Sequence, residues 1–199
     1  MSVTDLSPRD RLLRAATVLF AELGYDQTTS ELIADAAGLP ASLITKEFGG
    51  RRQLYLEVFQ QVQEHLDRLT AQLPEQEPSG ETYHRFIDRY LDYLQEHPEH
   101  AALWLQRWLN DAADLHEIEK SYVIPQAGKV DFFLRGLLKE ELDVELVNWT
   151  VAWACQIFTF SGIPGHGGMT SEDLARFRRH LHALADLMLK EQGNSTPEG

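Results

Sequence analysis

The stretch TTSELIADAAGLPASLITKEFGG, residues 28–50, decides the fold of the N-terminal part of this sequence. Thr28 offers an N-cap and Glu31 follows three residues later, which predicts a helix that begins at Thr28 with a capping box. Gly38 permits the left-handed conformation that ends a helix, and Pro40 then opens a second, short helix. A helix, a tight turn and a second helix at this spacing are typical of proteins that place a helix in the major groove of DNA.

The other periodic patterns of the chain are also helical. Ser7 and Pro8 form the predicted start of a first helix, which Gly24 ends. Thr170 and Asp173 form the predicted cap of a last helix. No alternating strand pattern and no internal repeat is visible, so the sequence predicts an all-α chain. The further predicted helices cover residues 51–73, 83–94, 101–112, 118–142 with a bend or break at Pro125, 144–161 and 174–188.

Charge is distributed unevenly along the chain. The 199 residues carry a formal net charge of -13, but residues 1–56 hold six Lys or Arg and seven Asp or Glu, a net of -1. The acidic total argues against binding of nucleic acid or an anionic membrane by the whole surface. Screening acts over about 8 Å at physiological salt, so distant carboxylates matter little where the first 56 residues meet DNA. A near-neutral head predicts modest phosphate-driven affinity, helped by dimerisation.

Cysteine usage and hydropathy favour a cytoplasmic protein without a membrane partner. Cys155 is the single cysteine, so no intramolecular disulfide is possible, and we expect it to be an inert thiol in the core. The opening MSVTDLSPRD lacks the apolar region of a secretory signal. The most apolar run, residues 146–161, is too short and too polar for a membrane span and predicts a buried helix.

Residues 9–59 resemble the TetR family of one-component transcriptional regulators. The resemblance rests on LFAELGY at residues 19–25 and TTSELIADAAGLPASLITKEFGGRRQLYLEVF at residues 28–59. It implies an all-α fold, with a three-helix DNA-binding head containing the helix-turn-helix and a larger helical domain for ligand binding and dimerisation. The predicted boundaries are 1–50 for the head, 51–191 for the C-terminal domain and 192–199 for a disordered tail.

The resemblance also implies a function and partners. We expect a homodimeric, ligand-responsive regulator without a cofactor, and a repressor more than an activator. Its partners would be a palindromic double-stranded DNA operator, an unknown small-molecule inducer and a second copy bound through helices 144–161 and 174–188.

The resemblance carries over to individual residues of the head. Ile44 and Phe48 match the apolar positions that seat the recognition helix, and Gly38 matches the turn glycine. Thr28 and Thr29 match a helix start that meets a phosphate, which the positive end of a helix dipole favours. Arg51 matches a lysine that contacts phosphate, although a solvated arginine is the alternative. The predicted DNA-contacting residues are Thr28, Thr29, Pro40, Ala41, Ser42, Leu43, Thr45, Lys46 and Arg51.

The recognition helix departs from the family pattern at two positions. Thr45 replaces a tyrosine that reaches phosphate, and Glu47 replaces a histidine. We expect Glu47 to be solvated or paired with Lys46 or Arg51, since a carboxylate facing DNA would repel phosphate. The helix contains no Arg, Asn or Gln for bidentate base recognition, so the sequence does not identify the operator. A ligand-binding protein with a weakened DNA head is therefore the second hypothesis.

Aromatic residues are concentrated in the larger domain. Any one of them fits an ordinary core, but together they permit an apolar pocket with a few polar groups. An aromatic or amphipathic organic molecule would suit that lining. The candidate pocket residues are Tyr90, Trp104, Trp108, Tyr122, Asn148, Trp149, Trp153 and Gln156.

Signals for other chemistry are weak. His97 and His100 are three residues apart, but Pro98 indicates a helix boundary between them, so we predict no metal site. No pattern of nucleophile and base or of paired carboxylates is recognisable, and we predict no catalytic residue. A small helical enzyme is the third hypothesis, and it has no positive feature beyond a possible pocket.

Overall fold

The computed structural model describes residues 6–73, 78–109, 111–166 and 169–190. Within these ranges the chain is helical and contains no named strand, which confirms the all-α prediction. The predicted disordered tail, 192–199, lies outside the described residues. The α-helices are α1 Pro8–Leu23, α2 Ser30–Ala37, α3 Ser42–Phe48, α4 Arg51–Thr70, α5 Gly80–Glu96, α6 Pro98–Trp108, α7 Ile124–Arg135, α8 Val144–Ser161 and α9 Ser171–Met188.

Local capping signals place several helix ends where the sequence predicts them. The Ser7 hydroxyl accepts a hydrogen bond from the Asp10 backbone N–H at 3.1 Å, and Pro8 occupies the first turn of α1. Thr170 and Asp173 form a reciprocal capping box at the start of α9. Each of these contacts satisfies a backbone N–H group that has no partner within the helix.

The start of α2 differs from the prediction by one cap position. Thr29 is the N-cap, and its hydroxyl accepts a hydrogen bond from the Leu32 backbone N–H at 3.2 Å. The predicted capping box of Thr28 and Glu31 is therefore wrong. Thr28 is fully buried, and its hydroxyl donates to the Gly24 carbonyl at 2.6 Å instead.

The predicted helix over 118–142 is irregular near Pro125, where a bend or break is expected. A π-helical turn, Glu119–Val123, leads directly into α7, and Pro125 is the second residue of α7. Proline lacks the N–H that continues a regular helical ladder, which explains the irregular turn at this point. Beyond α7, Leu138 forms an isolated antiparallel bridge with Leu189, in which the Lys190 N–H donates to the Leu137 carbonyl at 2.8 Å.

The described residues form two compact units. The first contains residues from 1–68 and 93–126, and the second contains residues from 69–92 and 127–199. In the core of the first unit, the Phe20 and Phe59 rings both meet Tyr55 edge-on, with centroids 4.8 and 5.0 Å away. The predicted domain boundary at residue 50 separates a DNA-binding part from a ligand-binding part, which is a functional division different from these two units, and it stays a prediction. Fully or nearly fully buried residues of the second unit include Tyr83, Ile87, Leu91, Cys155, Leu181 and Ala185.

Candidate nucleic-acid interface

The turn between α2 and α3 has the geometry that the sequence predicts. Gly38 adopts φ 64 and ψ 40, a left-handed conformation that glycine reaches without a Cβ clash. Its N–H bonds the carbonyls of the last turn of α2, and the Leu39 N–H donates to the Ala34 carbonyl at 2.9 Å. Ile44 and Phe48 are buried and seat α3 in the core of the first unit.

The outer face of α3 is polar and small. Ser42, Thr45 and Lys46 are exposed, and Pro40 lies exposed just before the helix. We call Ser42, Thr45 and Lys46 the α3 face. These side chains can donate hydrogen bonds to base edges or to phosphate oxygens.

The other candidate base-reading residues are less accessible than this face. Ala41 and Leu43 are half-buried and pack against the core of the first unit. Glu47 is also half-buried, and no ion pair joins it to another described residue. The predicted alternative, a Glu47 pair with Lys46 or Arg51, is therefore not formed.

Thr28 and Thr29 have different surroundings. The buried Thr28 hydroxyl also lies 3.2 Å from the Leu19 carbonyl, so this side chain faces the interior of the head. This burial corrects the assignment of Thr28 to the DNA face. Thr29 is exposed at the N-terminus of α2, where backbone N–H groups favour an anion.

Arg51 has a structural role that the sequence does not reveal. Its Nη1 donates to the carbonyls of Tyr25 and Thr28, at 2.7 and 2.5 Å. The guanidinium carbon lies 4.0 Å from the centroid of the Tyr25 ring, a cation–π arrangement. We call this set of contacts the Arg51 clasp. It ties the first residue of α4 to the connection between α1 and α2.

A second contact holds the same connection. The Asp111 carboxylate accepts hydrogen bonds from the backbone N–H groups of Tyr25 at 2.7 Å and Asp26 at 3.0 Å. The approach is close, since a Cβ on Gly24, whose φ is +78, would lie 2.9 Å from the Asp111 carboxylate. We call this contact the Asp111 brace.

Arg107 binds the backbone of the segment that contains Asp111. It is buried, and its Nη1 donates to the Asp111 and Ala112 carbonyls at 2.7 and 2.5 Å. Its Nε donates to Glu119 at 3.0 Å. These partners are close in sequence, but Asp111 lies 85 to 86 residues from the amides that it binds.

Residues 12–58 match the sequence model of a known family, described as bacterial regulatory proteins, tetR family. The match contains all of α2 and α3, the Arg51 clasp residues and most of α1. The head belongs to the TetR family. Residues 12–58 thus carry the sequence pattern of the DNA-binding head of bacterial tetR-family regulators, as the sequence predicts.

Solved structures of regulators are similar over nearly the whole chain. They include the ketosteroid transcriptional regulator KstR2 of Mycobacterium tuberculosis, at 20% identity and a TM-score of 0.71, over 93% of this chain and 96% of that one. The fatty acid degradation regulator FadR from Bacillus halodurans has 19% identity and a TM-score of 0.71, over 91% and 95%. The TetR-family regulator PfmR from Thermus thermophilus has 21% identity and a TM-score of 0.71, over 93% and 98%. At such identities the likeness shows the fold alone.

No curated protein matches the sequence. Among the described helices, none is long and apolar enough to cross a membrane.

The TetR-family head has few cations available for phosphate. Arg9 pairs with Glu57 at 2.5 Å, and Arg52 pairs with Glu117. The guanidinium of Arg11 donates to the Ala37 carbonyl. Together with the Arg51 clasp, these contacts engage four of the six Lys and Arg side chains in residues 1–56. The two others are Arg14 and Lys46, both exposed, and Lys46 belongs to the α3 face.

The candidate ligand residues of the second unit include a polar pair. The Gln156 side-chain N–H donates to the Tyr90 hydroxyl at 2.7 Å. The Gln156 Oε1 is buried and accepts no hydrogen bond from the described residues. Asn148 donates to Asp131 at 2.8 Å, and the rings of Trp149 and Trp153 lie 5.6 Å apart. This unit therefore offers one buried acceptor without a partner.

The other three candidates belong to the first unit. Trp104 is nearly buried and meets Phe59 edge-on, with ring centroids 4.8 Å apart. Trp108 is exposed to 40%, and Tyr122 packs half-buried against the core. The predicted set is thus divided between the two units, and a single pocket formed by all eight residues remains a prediction.

His97 and His100 lie together, although the sequence analysis disfavours a site there. Their rings stack with centroids 4.9 Å apart, because His97 is the N-cap of α6 and His100 lies in its first turn. The helix boundary at Pro98 therefore brings the two rings together. Burial, followed by the charges of His97 and His65, lowers the pKa of His100 to about 3.

Proposed function

We propose that the chain is a homodimeric repressor that binds a palindromic DNA operator and leaves it when a small organic molecule binds the C-terminal helices. The observation that carries the proposal is the α3 face, an exposed row of hydrogen-bonding side chains on a helix seated by a buried Ile44 and Phe48. A helix of this kind after a left-handed glycine turn suits the major groove. Thr29 and the amides at the start of α2 would meet an adjacent phosphate.

Dimerisation is supported by an exposed apolar stripe in the second unit. Leu146, Trp153, Ile157 and Phe160 are exposed along α8 at intervals of seven, four and three residues, which places them on one helix face. On α9, Leu187 is exposed to 69%. Two copies of this surface related by a two-fold axis would bury it and form a four-helix interface.

Ligand binding is supported by the unpaired acceptor of Gln156. A buried carbonyl without a hydrogen bond is unfavourable by about 1–3 kcal/mol, and a ligand that donates a hydroxyl or N–H group would remove that penalty. The aromatic residues around the same unit favour an aromatic or amphipathic molecule.

The contacts of the head indicate how binding would be transmitted. The Arg51 clasp connects the head to α4, and the Asp111 brace connects it to the segment after α6. A ligand that favours one placement of α4 would thereby favour one spacing of the two heads of a dimer. Operator affinity changes only if the ligand binds these two states unequally.

A protein with a weakened DNA head is the second candidate. The observation that favours it is the internal engagement of four of the six cations in residues 1–56. With Lys46 as the exposed cation of the α3 face, a dimer would neutralise few phosphates, and the salt dependence of binding would be shallow.

Selection of bound sequences from a random pool of double-stranded DNA tests the proposal. The wild-type protein should enrich a palindrome, and Lys46→Ala should weaken binding to it and lower the salt slope by about 0.9 per subunit. Lys120→Ala, which removes another exposed lysine, is the matched control and should bind as the wild type does. A pool that shows no enrichment would contradict the proposal and favour the second candidate.

A further inference from the structure

Three histidine rings and one carboxylate meet in the first unit. His65 comes from α4, and His97 and His100 come from the start of α6. The His65 ring centroid lies 4.9 Å from that of His97 and 5.5 Å from that of His100. Glu99 lies between the two α6 histidines in sequence. We call these four residues the histidine cluster.

The possible ligand atoms of His97, Glu99 and His100 lie at suitable distances from one another. The Glu99 Oε1 is 3.5 Å from the His97 Nδ1 and 3.9 Å from the His100 Nε2. One ligand atom from each of these three residues lies within 4.8 Å of the others. Metal–ligand bonds of about 2.0–2.1 Å in a tetrahedron place ligand atoms about 3.4 Å apart. Small side-chain rotations would therefore close the set around one ion.

Hydrogen bonds leave the outer nitrogens of two rings free to coordinate. The His65 Nδ1 lies 2.9 Å from the Gln61 carbonyl, an obligatory acceptor, so this nitrogen carries the proton and Nε2 keeps its lone pair. The His100 Nδ1 lies 2.8 Å from the Tyr93 hydroxyl, which can accept its proton and leave Nε2 free. Such partners fix the orientation of histidine ligands in metal sites.

Access to the cluster also suits an ion. A cavity of about 470 Å³ is lined by His65, His97, His100 and by residues of α1. The exposed Asp10 and Arg14 on its wall add one charge of each sign.

We propose that His65, His97, Glu99 and His100 form a binding site for a divalent transition-metal ion of the Zn²⁺ class. Three imidazoles and one carboxylate suit Zn²⁺ and its neighbours, whereas Mg²⁺ and Ca²⁺ prefer oxygen ligands. The bound ion would connect α4 to the start of α6. This property is separate from DNA binding and from the organic inducer.

Titration of tag-free, full-length protein tests the site after removal of bound ions with EDTA and dialysis. Zn²⁺ binding is followed by calorimetry, and Co²⁺ binding is followed by its visible absorption. We expect one ion per chain and the intense visible bands of four-coordinate Co²⁺. Glu99→Gln and His97→Gln change half-buried side chains and should each weaken binding at least tenfold. Circular dichroism verifies that both variants are folded.

The matched controls lie close by. Glu96→Gln and His116→Gln remove an exposed carboxylate and an exposed imidazole outside the cluster, and both variants should bind Zn²⁺ as the wild type does. The proposal is overturned if no saturable binding of one ion per chain occurs, if the folded Glu99 and His97 variants bind as tightly as the wild type, or if the controls weaken binding equally.

Discussion

Replacement of Arg51 by alanine should destabilise the head itself. The substitution removes two charge-assisted hydrogen bonds to the Tyr25 and Thr28 carbonyls and the cation–π contact with the Tyr25 ring. Hydrogen bonds to charged groups contribute about 1.5–3 kcal/mol each when buried, and an exposed cation–π contact contributes about 0.5–1 kcal/mol. Because Arg51 is only half-buried, we expect a loss of about 2–3 kcal/mol in the free energy of unfolding.

Thermal unfolding followed by circular dichroism measures this loss. For a chain of this length, 2–3 kcal/mol corresponds to a fall of about 4–12 °C in Tm. Arg51→Lys should give an intermediate value, because a lysine keeps the charge but lacks the planar guanidinium that stacks on the Tyr25 ring while one of its nitrogens donates to both carbonyls. Arg52→Ala is the neighbouring control. Its exposed pair with Glu117 contributes about 0–1 kcal/mol, so its Tm should stay close to that of the wild type.

DNA binding by the same variant separates the clasp from a phosphate contact. If Arg51 acts by positioning α2, Arg51→Ala lowers operator affinity while the slope of log affinity against log salt stays unchanged. If it also neutralises a phosphate, the slope falls by about 0.9 per subunit. A variant that melts within about 1 °C of the wild type would refute the reasoning, since the carbonyl contacts would then contribute nothing to stability.

Three further predictions concern the second unit. Phe160→Glu should convert the proposed dimer into a monomer of about 22.7 kDa in light scattering, whereas Phe132→Glu, at a similarly exposed phenylalanine on α7, should leave the mass of the wild type unchanged. Cys155 is fully buried and its pKa is raised to about 12, so it should react with a thiol reagent at mildly alkaline pH only after unfolding; rapid labelling of the native protein would contradict this burial. Gln156→Leu removes a buried acceptor that has no hydrogen bond from the described residues, and it also removes the donor to the Tyr90 hydroxyl, so the two effects should largely offset and leave the Tm of the ligand-free protein nearly unchanged, while the stabilisation that an inducer gives in thermal-shift assays is abolished.

Local signals predict most of the helices. Val144–Ser161 agrees with the prediction at both ends, because an Asp143 cap and Gly162, at φ 62, are signals read from adjacent residues. The predicted start of α2 is wrong by one residue, because Thr28 and Thr29 are equally good N-caps. Only packing decides which of the two hydroxyls points inwards. The end of the predicted helix over 118–142 shows the same limit, because α7 ends at Arg135 and the bridge of Leu138 that follows depends on Leu189, 51 residues later.

The site is less predictable than the fold, since its decisive contacts are distant in sequence. Lys46 and Ser42 follow from the position of α3 within the motif. Arg51 binds carbonyls 23 and 26 residues earlier, and no composition signal marks a backbone carbonyl as its partner. The histidine cluster is similar, since His65 lies on another helix than His97, and spacing within HPEH alone cannot show that they meet.

The Asp111 brace has a consequence for recombining this protein with others. A chimera joined at residue 50 would keep α1 to α3 but replace Asp111, which holds the amides of Tyr25 and Asp26. It would also place Gly24 against a loop from the other protein. The space there is narrow, since a Cβ added to Gly24 would lie within 3 Å of the natural Asp111 carboxylate. A functional exchange of DNA specificity therefore requires a transplant of both pieces of the first unit, residues 1–68 and 93–126, or a donor loop that supplies a carboxylate at the same place. In this protein the smallest transferable module is discontinuous in the gene.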